Sequence, residues 1–257
     1  MMRNLLVCGL VAGVCAGLLA TGVARIVGEP AVDAAIAWEE SHAEPAAVPA
    51  APAHQQVAGP LVSRKIQSSA GLLAATLIYG LSLGGLFALA FAFVYGRVGK
   101  LSPAATALRL AGTSFVVLFL VPFLKFPANP PAVGNPDTIN RRVVLYFTMI
   151  GISILGAVLA VRVRKLLAQH RATTALVAGL TSYVVVVLVA GLALPGIQEV
   201  PKDFPAVTLW EARQATVGAQ LVLWTALGSI FALGTRRVMT AREAPSQDPA
   251  VAVKAGD

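Results

Sequence analysis

Residues 5–24 carry no charged side chain, and the same holds for residues 70–95, 143–161, 172–194 and 215–235. A sixth run, 104–124, holds a single charge, Arg109, close enough to its start for the side chain to reach an interface. About 20 apolar residues in a helix cross the hydrocarbon core of a bilayer, so six runs predict six crossings. No stretch alternates as a barrel strand would, and in lipid a helix satisfies its own backbone polar groups. Charged residues make up 12% of the chain, about half the share usual in a soluble domain, and mean hydropathy is +0.76. The fold class expected is all-α: a polytopic membrane helix bundle with six transmembrane helices, or five if the first is cleaved or not counted.

The runs divide the chain. Residues 1–28 read as an N-terminal transmembrane helix, a signal anchor that is retained, because its uncharged run is longer than the about 7–15 residues of a signal core. Residues 29–69 form an outer acidic segment, rich in alanine and proline and carrying two histidines, whose stretch 44–54 reads as an extended tether. Residues 70–235 hold the other five helices, and 236–257 read as a disordered cytoplasmic tail. Gly9, Gly13 and Gly17 recur every four residues, as do Gly80 and Gly84. In lipid this spacing lets two helix backbones approach closely, so the first two helices are expected to pack together. Cys8 and Cys15 read as small apolar fillers.

The formal charge of +8 is a topology signal rather than a nucleic-acid surface. With the N-terminus cytoplasmic, 12 of the 20 Lys and Arg residues fall on the cytoplasmic side, which follows the positive-inside rule and puts both termini inside. The acids are segregated far more sharply. Of 12, only Glu243, Asp248 and Asp257 are cytoplasmic, all in the tail, and the other nine are outside. Acids contribute little to orientation, so an outer face this rich in oxygen ligands invites a cation.

Three outer segments carry the candidate chemistry. WEESHAE gathers Glu39, Glu40, His42 and Glu44, with His54 downstream. Imidazole and carboxylate donors together suit borderline divalent metals, and a solvated charged helix is the plainer alternative. The stretch KFPANPPAVGNPDTINRR (residues 125–142) sets four prolines among Asn129, Asn135, Asp137 and Asn140. The prolines end the preceding helix, remove amide donors and stiffen the connector. The third segment offers Glu199, Asp203 and Glu211 as further members of a vestibule. No acid lies inside an apolar run, so a translocation path would rely on backbone carbonyls, hydroxyls such as Ser153 and Tyr183, water, or a partner's side chains. No Walker lysine loop, H-E-x-x-H or G-x-S-x-G is present, so no enzyme is expected.

FLKFPANPPAVGNPDTI (residues 123–139), YGLSLGGLFALAFAFVYGR (79–97), FPAVTLWEARQATVGAQLVLW (204–224), EPAVDAAIAWEESHAE (29–44) and VSRKIQSSAG (62–71) resemble the CbtA family, the probable cobalt transporter subunit. The resemblance implies a cobalt-uptake subunit of the bacterial plasma (inner) membrane, linked to cobalamin metabolism. It also implies a small one-span partner, CbtB, and Co2+ as cargo rather than as a permanently bound cofactor. The lipid bilayer is the remaining partner, and no nucleic acid is expected. A reading of another class, a non-transporting membrane scaffold or sensor, stands beside it.

Overall fold

The computed structural model describes residues 2–42, 63, 66–97, 99, 101–131 and 133–243, and among these no strand occurs. Six helices are long and apolar enough to cross a membrane: α1 (Met2–His42), α2 (Gln67–Val94), α3 (Pro103–Lys125), α4 (Ile139–Leu166), α5 (Ala172–Ala193) and α6 (Ala206–Glu243). All six expected crossings are therefore present, and the protein is a multi-pass membrane protein. Two boundaries differ from expectation. Residues 29–42, read as the start of a separate outer segment, continue α1, and the last helix runs on to Glu243, well into the stretch read as a tail. Residues 44–54, the tether, and 244–257 lie outside the described residues.

Local chemistry explains the helix ends and irregularities. Ser102 caps α3, its Oγ accepting from the Ala105 amide at 3.2 Å, and Pro103 follows at a position whose missing amide costs nothing. Two prolines sit inside helices. Each comes just after a stretch where the backbone widens to the i→i+5 pattern: Ala24–Gly28 before Pro30, and Phe115–Leu120 before Pro122. A proline ring clashes with the carbonyl four residues back and removes one hydrogen bond, and the wider turn accommodates both defects so that the helix continues. α1 is thus about 60 Å long at 1.5 Å per residue. That is twice the hydrocarbon thickness, so its second half stands clear of the lipid.

α1 and α2 are the most closely packed pair. A Cβ on Gly17 would lie 2.7 Å from the carbonyl oxygen of Thr76. One on Gly9 or Gly13 would overlap the carbonyl oxygens of Gly84 and Gly80, and the reverse substitutions would meet the Gly9 and Gly13 oxygens. The hydroxyls of Thr21 and Thr76 are hydrogen-bonded across the same seam. α3 and α6 close the other side, so that Leu5, Ala12 and Ala16 of α1, Phe87 and Phe91 of α2, Ala107 of α3 and Leu227 and Phe231 of α6 form the main core. α4 and α5 make a hairpin joined by the Ser153–Tyr183 hydroxyl pair at 2.8 Å. It docks on the second half of α3 through Val121, Met149 and Ala190. Both hairpin helices leave long valine, leucine and isoleucine faces exposed, as lipid contact requires.

Candidate functional site

The end of the bundle that holds the α1 extension, the α3–α4 loop and the α5–α6 loop carries the described residues of the metal-capture and vestibule groups. These three pieces meet over a small core of their own: Ala35 of α1, Val133 of the first loop and Phe204 of the second are buried together, flanked by Trp38, Val200 and Leu209. The proline-rich stretch is therefore anchored rather than free. Arg213 of α6 fixes it, donating from Nε to the Ala128 carbonyl at 3.3 Å and from Nη2 to Asn129 Oδ1 at 3.2 Å. Gly134 turns at φ 128°, a conformation that favours glycine, and a Cβ there would also lie 2.8 Å from Arg142 Nη1 and 3.1 Å from Glu199 Oε2, pushing on the ends of those side chains.

Asn135 and Glu199 are consumed by this anchoring. The Asn135 amide donates to Glu199 Oε2 at 3.0 Å, its Oδ1 accepts from the Asp137 amide at 2.9 Å, and its carbonyl accepts from the Thr138 hydroxyl at 2.8 Å. Arg142 Nε lies 3.6 Å from Glu199 Oε2. The Thr138 hydroxyl, the Asn135 amide and the Arg142 guanidinium together hold the Glu199 carboxyl below the usual carboxylate range. Asp137, in a short 3-10 turn before α4, and Glu211, in the first turns of α6, are exposed and line neither cavity described below.

Near the tip of α1, His42 stacks on Trp38 with ring centroids 4.4 Å apart, and Trp38 packs edge-on against Phe204 at 5.0 Å. Its Nδ1 lies 2.9 Å from the Trp38 carbonyl oxygen. The Ser41 hydroxyl is also 2.9 Å from Nδ1 and itself donates to the Trp38 carbonyl at 2.8 Å, so Nδ1 is engaged within the helix and Nε2 is the ring nitrogen turned toward Asp203. Nε2 is 3.8 Å from Asp203 Oδ2, and the two side chains are 49% and 64% exposed. The fold thus brings His42, from the metal-capture group, to Asp203, from the vestibule group. Glu39 and Glu40 are exposed on the same helical extension, while Glu44 and His54 lie outside the described residues. Among the described residues no three His, Cys, Asp or Glu side chains are grouped closely enough to hold a metal ion. What the mouth offers is one nitrogen and one oxygen donor.

Two cavities lie at this end of the bundle. The larger, about 1060 Å3, is lined by Phe119, Phe123, Tyr146 and Phe147 and by Lys125, Arg142 and Arg213, with no carboxylate in its wall. The smaller, about 300 Å3, is bounded by Ala24, Gly28 and Glu29 of α1, Leu72 of α2, Asn129, Pro130 and Pro131 of the loop, and Ala212, Thr216 and Gln220 of α6. Asn129, Thr216 and Gln220 border both. Gln220 was not singled out from the sequence, yet it is the one Asn or Gln within the six apolar runs. That isolation of an amide in a membrane run was a readable signal.

A family model described as "Probable cobalt transporter subunit (CbtA)" matches residues 2–236. No curated protein and no solved structure matches the chain.

Proposed function

The chain belongs to the CbtA family, the probable cobalt transporter subunits, and on that premise we propose that it admits Co2+ across the bacterial plasma membrane, acting with a small CbtB-type partner in the service of cobalamin metabolism. Both termini are cytoplasmic, so the end bearing His42, Asp137, Asp203 and Glu211 faces the arriving ion. The observation that carries the reading is the His42–Asp203 pair. A histidine whose one ring nitrogen is held by its own helix presents the other for a metal ion. With bonds of about 2.1 Å, cis donors on a metal lie about 3 Å apart and trans donors about 4 Å. The 3.8 Å separation falls within that interval.

Such a pair is a collecting site and not a trap. Two donors on exposed side chains leave most of the coordination shell to water, so the ion arrives, dwells briefly and moves on. Exposed Glu39 and Glu40 raise its local concentration through the negative field of this face. Imidazole plus carboxylate suits Co2+ among the borderline divalent ions. No acid lies in an apolar run, and the hydroxyls of Thr148 and Ser182 donate to carbonyls of their own helices. Passage through the bilayer therefore draws on the partner's side chains as well.

The decisive test compares radiolabelled cobalt uptake by cells with and without this chain, each with and without the CbtB-type partner. Accumulation is expected to rise with the chain and to be greatest with both. Equal accumulation in every strain contradicts the transporter and leaves a scaffold or sensor.

A further inference from the structure

α6 packs mainly against Pro103–Ser114 of α3, whereas α4 packs against Phe115–Lys125. At the loop-rich end α4 and α6 are therefore held apart, and the larger cavity, about 1060 Å3, fills the gap between them and α3. Its cationic residues share one level. Lys125 directly follows the apolar run 104–124, Arg142 directly precedes 143–161, and Arg213 stands two residues before 215–235. Three helices thus bring positive charge to the same edge of the hydrocarbon. Inward of that edge the wall is aromatic, with Phe119 and Phe123 on α3 and Tyr146 and Phe147 on α4. At 1.5 Å per residue, Phe119 lies about 9 Å deeper than Lys125.

The three charges are not equally spent. Arg142 faces Glu199 at 3.6 Å. Arg213 gives Nε and Nη2 to the Ala128 carbonyl and Asn129 Oδ1, both neutral acceptors, so its charge stays unbalanced. Lys125 has the face of the Phe126 ring, 5.8 Å from Nζ to the centroid. Among the described residues no carboxylate lies within ion-pair distance of Lys125 or Arg213, and both side chains are half-buried. A half-buried cation without a counter-ion beside hydrocarbon is costly, and an anion in the cavity removes that cost.

We propose that this cavity holds one anionic glycerophospholipid of the surrounding leaflet, its phosphate at Lys125 and Arg213 and an acyl chain along the aromatic wall. The bilayer supplies phosphate at this level and hydrocarbon directly beneath it, the same order of charge and apolarity that the cavity presents. A helix from another protein would have to carry an acid at that one level. The lipid bridges α6 to the α4–α5 hairpin where the cavity keeps them apart. Neither His42 nor Asp203 lines this cavity, so the lipid leaves the mouth open.

Native mass spectrometry of the purified full-length chain in neutral detergent tests this, with phosphatidylglycerol or phosphatidylcholine of the same acyl chains added. One phosphatidylglycerol per chain is expected to bind at least about tenfold more tightly than phosphatidylcholine. Lys125→Gln lowers that preference about fivefold. Arg141→Gln, which removes a charge at the same membrane edge but outside the cavity wall, leaves it unchanged. Equal binding of the two lipids, an undiminished preference in Lys125→Gln, or an equal fall in Arg141→Gln overturns the site. Displacement of the lipid by inorganic phosphate would mark a site for a free anion, and loss of phosphatidylglycerol on adding the CbtB-type partner would give the cavity to a partner helix. Either result also overturns the proposal. The comparison of lipids on the parent chain needs no variant, so it decides the matter even where a substitution lowers the amount of folded protein. None of these readings uses Co2+, so the lipid site and the transport reading stand or fall separately.

Discussion

Glu199 sits where two loops cross, accepting the Asn135 amide and facing Arg142, and its carboxyl is held below the ordinary value of about 4.5. A depressed folded-state value means that the tie stabilises the fold above the ordinary value and is lost as the pH falls through the lower, folded one. Glu199→Gln is therefore expected to lower the thermal midpoint in detergent at pH 7, with the gap from the parent closing once the pH falls below about 4.5. A gap that widens toward acid contradicts the tie. His42 and Asp203 make a different demand. If they bind one ion jointly, His42→Ala and Asp203→Ala each weaken Co2+ binding about tenfold, and the double variant is scarcely weaker than either single. Additive losses would show two unrelated sites. Sequence reading named His42, Asp203, Asn135 and Glu199 but could not sort them, because ligand and tie use the same side chains and differ only in neighbours across the loops.

At the scale of helices, the glycine repeats were legible because backbone approach in lipid needs small residues at one-turn spacing. The seam they build should be intolerant. Gly13→Ala or Gly84→Ala forces a methyl into a carbonyl oxygen, which is expected to cost about 1–3 kcal/mol or to part the helices. Gly151→Ala, where nothing lies within 4 Å, should change stability by less than about 1 kcal/mol. Unfolding of purified variants in detergent separates the two classes. The helix runs on past residue 28 for a physical reason: the widened turn before Pro30 absorbs the ring, and burial of Ala31 and Ala35 holds the continuing helix in place. At the other terminus nothing breaks the helix after residue 235, since Arg236 and Arg237 are good helix formers. The charges marked the edge of the membrane, not of the helix.

Across the whole molecule the two ends differ in kind. One gathers carboxylates, imidazole and proline-fixed oxygens around two cavities. The other carries basic residues such as Arg97, Arg162, Arg164 and Lys165, with Lys165 Nζ reaching the Arg97 carbonyl at 3.4 Å. Six crossings were readable because lipid imposes length and apolarity on every one. The cavities were not, since each arises where α6 and the proline loop meet elements from distant parts of the chain, α3 and α4 at the larger and α1 at the smaller. Everything proposed for the ion depends on the acid-bearing end facing outward. A single cysteine placed by Asp137→Cys, in a background with Cys8 and Cys15 replaced by alanine, reports that directly through an impermeant maleimide on intact cells. Labelling without permeabilisation is the expected result, with Arg164→Cys protected until the membrane is opened. Protection of residue 137 in intact cells, with residue 164 reactive, would place the ligands on the wrong side and contradict the account.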